Sequence, residues 1–232
     1  MSDFSDLEVL YEDNHLVVIN KRASEIVQGD KTGDEPLVEK VREYIRKKYD
    51  KPGNVFCGLV HRLDRPTSGV LVFARTSKAL ERMNKLFADQ HPDKTYWAVV
   101  EKAPKQSNGA LKHYLTRNEK QNKSYASDVP KTGSKEARLS YKQLLQSDRY
   151  TLLEIALETG RHHQIRAQLA TIGCVIKGDL KYGAKRSNPD GSIHLHARAL
   201  RFKHPTREEE ITVVAPVPDE PLWQWFEKNL AL

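Results

Sequence analysis

Two short apolar runs, residues 56–60 and 70–74, bracket the segment His61-Arg62-Leu63-Asp64-Arg65-Pro66-Thr67-Ser68-Gly69. Runs of that length, rich in Val, Leu and Phe, read as buried strands, so the polar segment must be a tight loop between them. It sets one carboxylate between two arginines and follows it with a Pro-Thr-Ser-Gly turn. Pro66 fixes its own φ and restricts Arg65, while Gly69 gives freedom where the second strand resumes. An acid placed so accurately, with cations on either side, is suited to stay ionised and act as a nucleophile or general base. A turn aspartate with surface ion pairs is the plainer reading, and spacing alone leaves it standing.

Elsewhere the pattern mixes strands and helices. Residues 7–11 and 16–20, joined by Glu12-Asp13-Asn14, predict a hairpin. Leu37, Val41, Tyr44 and Ile45 recur at helical spacing, and a second helix is expected from Ser77 as N-cap, burying Leu80, Met83 and Leu86 or Phe87. Strands follow at 95–100, 139–145 and 150–157. A third helix is expected from about Gly160, with Ile165, Leu169 and Ile172 buried and Gly173 stopping it. Strands at 193–202 and 211–214 and a helix from Leu222 complete the reading. Many strands with few helices and no regular βαβ succession give an α+β fold on a mixed, mostly antiparallel sheet. The chain is long enough for one domain of 1–232, built as two packed lobes. Residues 102–136, rich in Lys, Asn and Ser, are expected to be an exposed excursion with one short strand.

Composition narrows the partners. Lys and Arg number 38 against 31 Asp and Glu, a net charge of +7 that favours a polyanion. Cys57 and Cys174 both sit in apolar stretches and read as buried free thiols in a reducing compartment. No apolar run reaches the ~18 residues of a membrane helix, and the amino terminus has no signal-peptide pattern, so a cytoplasmic protein without membrane partners is expected. A monomer is expected.

A second constellation is Glu158-Thr159-Gly160-Arg161-His162-His163-Gln164-Ile165-Arg166. At a helix start, free N–H groups and Arg161 would receive an anion, and Arg166 would share a flank with His162 and His163. A solvated basic face is the competing reading. His162, His163, His194 and His196 lack Cys or acidic ligands at a recognised spacing, so no metal site is expected. Tyr96 and Trp97 point to opposite faces of one strand. Either could stack on a base or simply fill the core.

The Asp64 segment, with Thr159-Gly160-Arg161 and His163-Gln164-Ile165-Arg166, resembles the RluA family of RNA pseudouridine synthases. Gly178-Asp179, Tyr182-Gly183, Leu195-His196-Ala197 and His204-Pro205-Thr206 extend the likeness over nearly the whole chain. The resemblance implies a long mixed sheet with flanking helices and a central RNA-binding cleft. It also implies isomerisation of uridine to pseudouridine in an rRNA or tRNA stem-loop, without a cofactor. Asp64 would be the catalytic acid, Tyr96 would stack on the target base, Arg166 would pair with the aspartate, and Arg62 would fill the gap left by the flipped base. His61, Arg65, Thr67, Arg161, His163 and Gln164 are expected to contact RNA. Where the family continues as Asn-Lys-Pro-Ser-Gly, this chain has Asn20-Lys21-Arg22-Ala23-Ser24-Glu25, which alters a turn but no expected catalytic group. That departure is the one support for an alternative, a non-catalytic RNA-binding or RNA-chaperone protein on the same fold. A glycosidase would need a second acid that the sequence does not place.

Overall fold

The structure, a computed structural model, describes residues 7–29, 33–89 and 92–230. They divide into two compact units.

The first unit takes Met1–Pro92 and Arg198–Pro216. Its opening hairpin forms as expected, β1 (Val9–Glu12) against β2 (Leu16–Lys21), with Asp13 accepting the N–H groups of His15 and Leu16 at 2.8 Å each. β3 is only Gly58–Leu59; ahead of it Phe56 is exposed while Val55 and Cys57 are buried. β4 (Ser68–Ala74) is buried along its length and pairs antiparallel with both β2 and β3. The helix α1 (Leu37–Lys48) buries Leu37, Val41 and Ile45, whereas Tyr44 leaves the stripe to donate its hydroxyl proton to Glu12. The next helix, α2 (Ser77–Asp89), buries Ala79 and Met83. Its cap is Thr76, whose hydroxyl accepts the Ala79 N–H at 3.1 Å, and not Ser77. Leu16, Val18, Val70, Val72 and Met83 share one core with Leu200, Phe202 and Ile211.

The second unit takes Asp93–Ala197 and Val217–Leu232. Its strands are β5 (Asp93–Val100), β6 (Asn108–Asn118), β7 (Lys123–Ser127), β8 (Lys135–Gln146) and β9 (Thr151–Leu157). They lie in the order β5-β9-β8-β6-β7, each pair antiparallel. The segment expected as an exposed excursion with one short strand therefore carries two full strands and the start of a third. Its polar composition hid a true alternation, with His113, Leu115, Ser124 and Ala137 inward and Tyr114, Thr116, Lys123, Tyr125 and Arg138 on the other face. The helix α3 (Gln164–Thr171) buries Ile165 and Leu169, but Ile172 is 36% exposed beyond its end. β10 (Leu195–Lys203) crosses the division between units, and Ala199–Lys203 pairs with β11 (Glu210–Val214) within the first. The closing helix α4 (Pro221–Leu230) is capped by Glu220, which accepts the Leu222 and Trp223 N–H groups at 3.0 and 3.1 Å. Trp223 and Phe226 pack with Trp97, Val99 and Leu152. Among the described residues no helix is long and apolar enough to cross a membrane.

Candidate functional site

In the first unit the loop that carries Asp64 is held from beneath by a lysine. Lys21, the last residue of β2, is 0% exposed, and its ammonium donates to the carbonyls of Arg22 (2.9 Å), Arg65 (3.0 Å) and Thr67 (2.7 Å). Ser24, at φ 71°, adds its N–H to the Arg65 carbonyl at 2.9 Å. Thr67 N–H closes the turn onto the Asp64 carbonyl at 3.0 Å. Lys21, joined by Ser24 of the stretch that follows it, thus clamps the backbone on either side of Pro66, a role the sequence reading did not assign to it. Burial pulls the Lys21 amine down to about 8, against the opposing pull of the Glu25 and Asp64 carboxylates. Gly69, at φ 114°, faces Lys21 across the β2–β4 pair, where a side-chain-bearing residue would be strained.

The other loop residues divide by environment. Asp64 is half-buried and Arg62 exposed. Arg65 reaches the Asp34 carboxylate at 2.6 Å. Thr67 is buried, its hydroxyl without a partner among the described residues. His61 accepts the Val72 N–H on Nε2 at 3.3 Å and stacks on Phe87, so its ring also braces β4.

In the second unit Tyr96 and Trp97 are both about nine-tenths buried on β5, opposite Ile155 and Glu154. Trp97 packs in the α4 core, which settles it as structural. Near them Lys94 lies against the Thr159-Gly160 turn, and burial lowers its pKa.

The helix expected from Gly160 begins four residues later, and the turn before it is internally bonded. Gln164 accepts the Thr159 hydroxyl (2.7 Å) and the Arg161 N–H (3.0 Å) on Oε1, while its amide donates to the Arg138 carbonyl at 3.0 Å. Arg161 donates to the Glu136 carbonyl. His163 caps α3 in the left-handed region, at φ 54°. With this geometry His162 and His163 precede the helix, stacked ring on ring at 3.8 Å, so they do not share a helical flank with Arg166.

Tyr182 ties this turn to β7. Its hydroxyl receives the Ser124 N–H at 2.9 Å, donates to the Ser124 carbonyl at 3.0 Å, and lies 3.0 Å from His163 Nδ1. The carbonyl can only accept, so the single hydroxyl proton goes to it and His163 carries its own proton on Nδ1. Burial, with Arg166 nearby, holds His163 down to about 2, a neutral ring at working pH.

Arg166 is buried. Asp179 binds it in a two-point fork, Nε to Oδ2 at 2.7 Å and Nη2 to Oδ1 at 2.9 Å, and its guanidinium lies over the Tyr182 ring. Asp179 is delivered by a turn that needs glycine. At Gly178 φ is +86°, and an added Cβ would meet Asn188 Nδ2 at 2.7 Å and the Ser192 carbonyl at 2.8 Å. Asp179, Tyr182 and Lys21 were not named as site residues from sequence. The Gly178-Asp179 and Tyr182-Gly183 pairs were the available signal for two of them. For Lys21 only its place at the end of an apolar strand was visible. No group of three or more His, Cys, Asp or Glu suited to a metal occurs among the described residues.

Residues 15–171 match the family described as RNA pseudouridylate synthase. The ribosomal large subunit pseudouridine synthase D of Xylella fastidiosa is 35% identical over 92% of this chain and 67% of its own length. The tRNA pseudouridine synthase C of Vibrio parahaemolyticus is 32% identical over 94% of this chain and 93% of its own. Among solved structures, human RNA Pseudouridylate Synthase Domain Containing 4 superposes with a TM-score of 0.79 at 24% identity, over 97% of this chain and 93% of that one, a likeness of fold. The chain belongs to the RluA family of RNA pseudouridine synthases, enzymes that isomerise uridine in RNA.

Proposed function

We propose that the protein isomerises a uridine in structured rRNA or tRNA, with Asp64 as the reacting carboxylate and Tyr96 and Arg166 as its partners on the same nucleotide. The observation that carries this reading is the clamp on the Asp64 loop. A buried ammonium and a backbone N–H fix the carbonyls around Pro66, while Asp64 itself is only partly buried, the arrangement a group meeting an outside substrate requires. Breaking the N1–C1′ bond and joining C5 to C1′ oxidises nothing and needs no phosphate donor. What it needs is a carboxylate that stays ionised when RNA displaces water. Desolvation opposes that, and a guanidinium favours it. Arg166 suits the task because Asp179 fixes it in place. The flipped base is proposed to stack on Tyr96, with Arg62 entering the duplex in its stead. In this reading His163 and Gln164 shape the turn from beneath and Arg161 and Arg65 face RNA, whereas Thr67, expected from sequence to contact RNA, is buried and supports the loop instead. The setting proposed is the cytoplasm, where Cys57 and Cys174 remain the buried free thiols found here.

RNA labelled with tritium at uracil C5 should lose the label to water with wild-type protein and not with Asp64→Asn. Release by Asp64→Asn at the wild-type rate would remove Asp64 from the chemistry. The relatives act on different RNAs by name, so mapping pseudouridines in total RNA with and without the gene decides between rRNA and tRNA.

A further inference from the structure

We propose that the outward face of β6, β7 and β8 is a second RNA-contact surface, where Tyr125 stacks an unpaired nucleobase and Lys123 and Lys131 hold the flanking phosphates. The proposal rests on the reading that this enzyme acts on RNA, and it extends that reading to a surface outside the reacting residues.

Strand register defines the face. Thr116 pairs with Tyr125, Asn118 with Lys123, Tyr114 with Ser127 and Lys112 with Arg138, so these side chains project to one side. The residues between them, Leu115, Ser124 and Ala137, are buried on the other side, where Leu115 and Ala137 pack with Ala167 of α3. Tyr125 is 47% exposed, a large aromatic surface left open to water. The small Thr116 opposite leaves the ring uncovered. Its hydroxyl is fixed to Gln121 at 2.5 Å, and the Lys123 ammonium stands 5.3 Å from the ring centre, so the ring is oriented. Beside it lies a depression of about 470 Å³ bordered by Thr116, Ser127 and Lys131.

Charge identifies the occupant. Residues 108–138 hold seven Lys and Arg against three Asp and Glu. Glu136 is taken by Lys112 and Arg138. Arg117, Lys120, Lys123, Lys131 and Lys135 have no carboxylate partner among the described residues. Protein interfaces are depleted in lysine, whereas a ring among unpaired cations and hydroxyls is how sequence-tolerant single-strand sites are built. The same face would then grip an unpaired stretch of the substrate beyond the target uridine.

The test is binding of a fluorescein-labelled, mixed-sequence single-stranded RNA, about a dozen nucleotides long, to the full-length protein at fixed salt. Tyr125→Ala should weaken binding by about 5- to 100-fold, and Tyr125→Phe should restore most of it, because the ring and not the hydroxyl does the stacking. Lys123→Gln and Lys131→Gln should each lower the slope of log affinity against log salt by about 1, while Lys228→Ala on α4 should leave it unchanged. With transcribed rRNA or tRNA the Tyr125→Ala loss should fall on KM more than on kcat, and 4-thiouridine-labelled RNA should crosslink to the peptide containing Tyr125. Binding by Tyr125→Ala within about twofold of wild type, or unchanged salt slopes in both lysine variants, would overturn the proposal and leave the face to a protein partner. A wild-type protein that releases no tritium would instead undo the underlying reading. Failure of the surface alone leaves that release intact.

Discussion

Lys21 is a fully buried ammonium whose burial is offset by donation to three backbone carbonyls. Lys21→Met removes the donors and leaves the Asp64 loop without its support, so we expect a loss of about 1–3 kcal/mol in urea unfolding at neutral pH. The pH dependence has a definite sign. The folded amine releases its proton near 8, whereas an unfolded lysine does so near ~10.4. Between those values the unfolded chain holds the extra proton, so wild type should gain stability relative to Lys21→Met as pH rises from about 8 to about 10. A flat difference across that window would mean the amine is not held as described. His163 behaves in the acid range. Its folded ring resists protonation down to about 2, whereas an unfolded one takes a proton near ~6.5. Its share of stability is complete above that value and declines as pH falls below it. Imidazole nitrogen NMR at pH ~5 should show it still neutral.

At the scale of elements, the apolar strands were legible as unbroken apolar runs buried on both faces, and α1 because its residues obey one period and bury one face. α1 opens at Leu37 as its spacing predicts. The start of α3 was not legible, because Gln164 folds back on Thr159 and Arg161 and holds them in a turn that periodicity does not encode. The β6–β7 hairpin was hidden for a different reason: polar and charged residues such as Lys112, Thr116, Asn118 and Lys123 hold its outer positions, and composition outweighed alternation. The turn at Gly178 decides whether Asp179 reaches Arg166. Gly178→Ala would force a Cβ against Asn188 and the Ser192 backbone at a positive φ, and we expect about 1–3 kcal/mol of destabilisation. Tritium release should fall in the same variant, and normal activity in a destabilised Gly178→Ala protein would separate the fork from catalysis.

For the whole molecule, an excess of cations predicts affinity that falls with salt, by about tenfold or more between 50 and 200 mM for a mid-sized RNA. Weak salt dependence would argue that few phosphates are touched. The site itself was legible only in part. Asp64 announced itself through its neighbours in sequence, but Asp179 and Lys21 act through contacts made across 13 and 44 or more positions of chain, which no local pattern displays. The sequestered amine of Lys21 also offers a clock. An acylating reagent modifies lysines at rates set by access, and here access requires the turn bearing Asp64 to lift from β2. Peptide mass spectrometry over a labelling time course should therefore find Lys21 among the last amines to react. Its rate would report the opening frequency of the turn that carries Asp64 in the native protein.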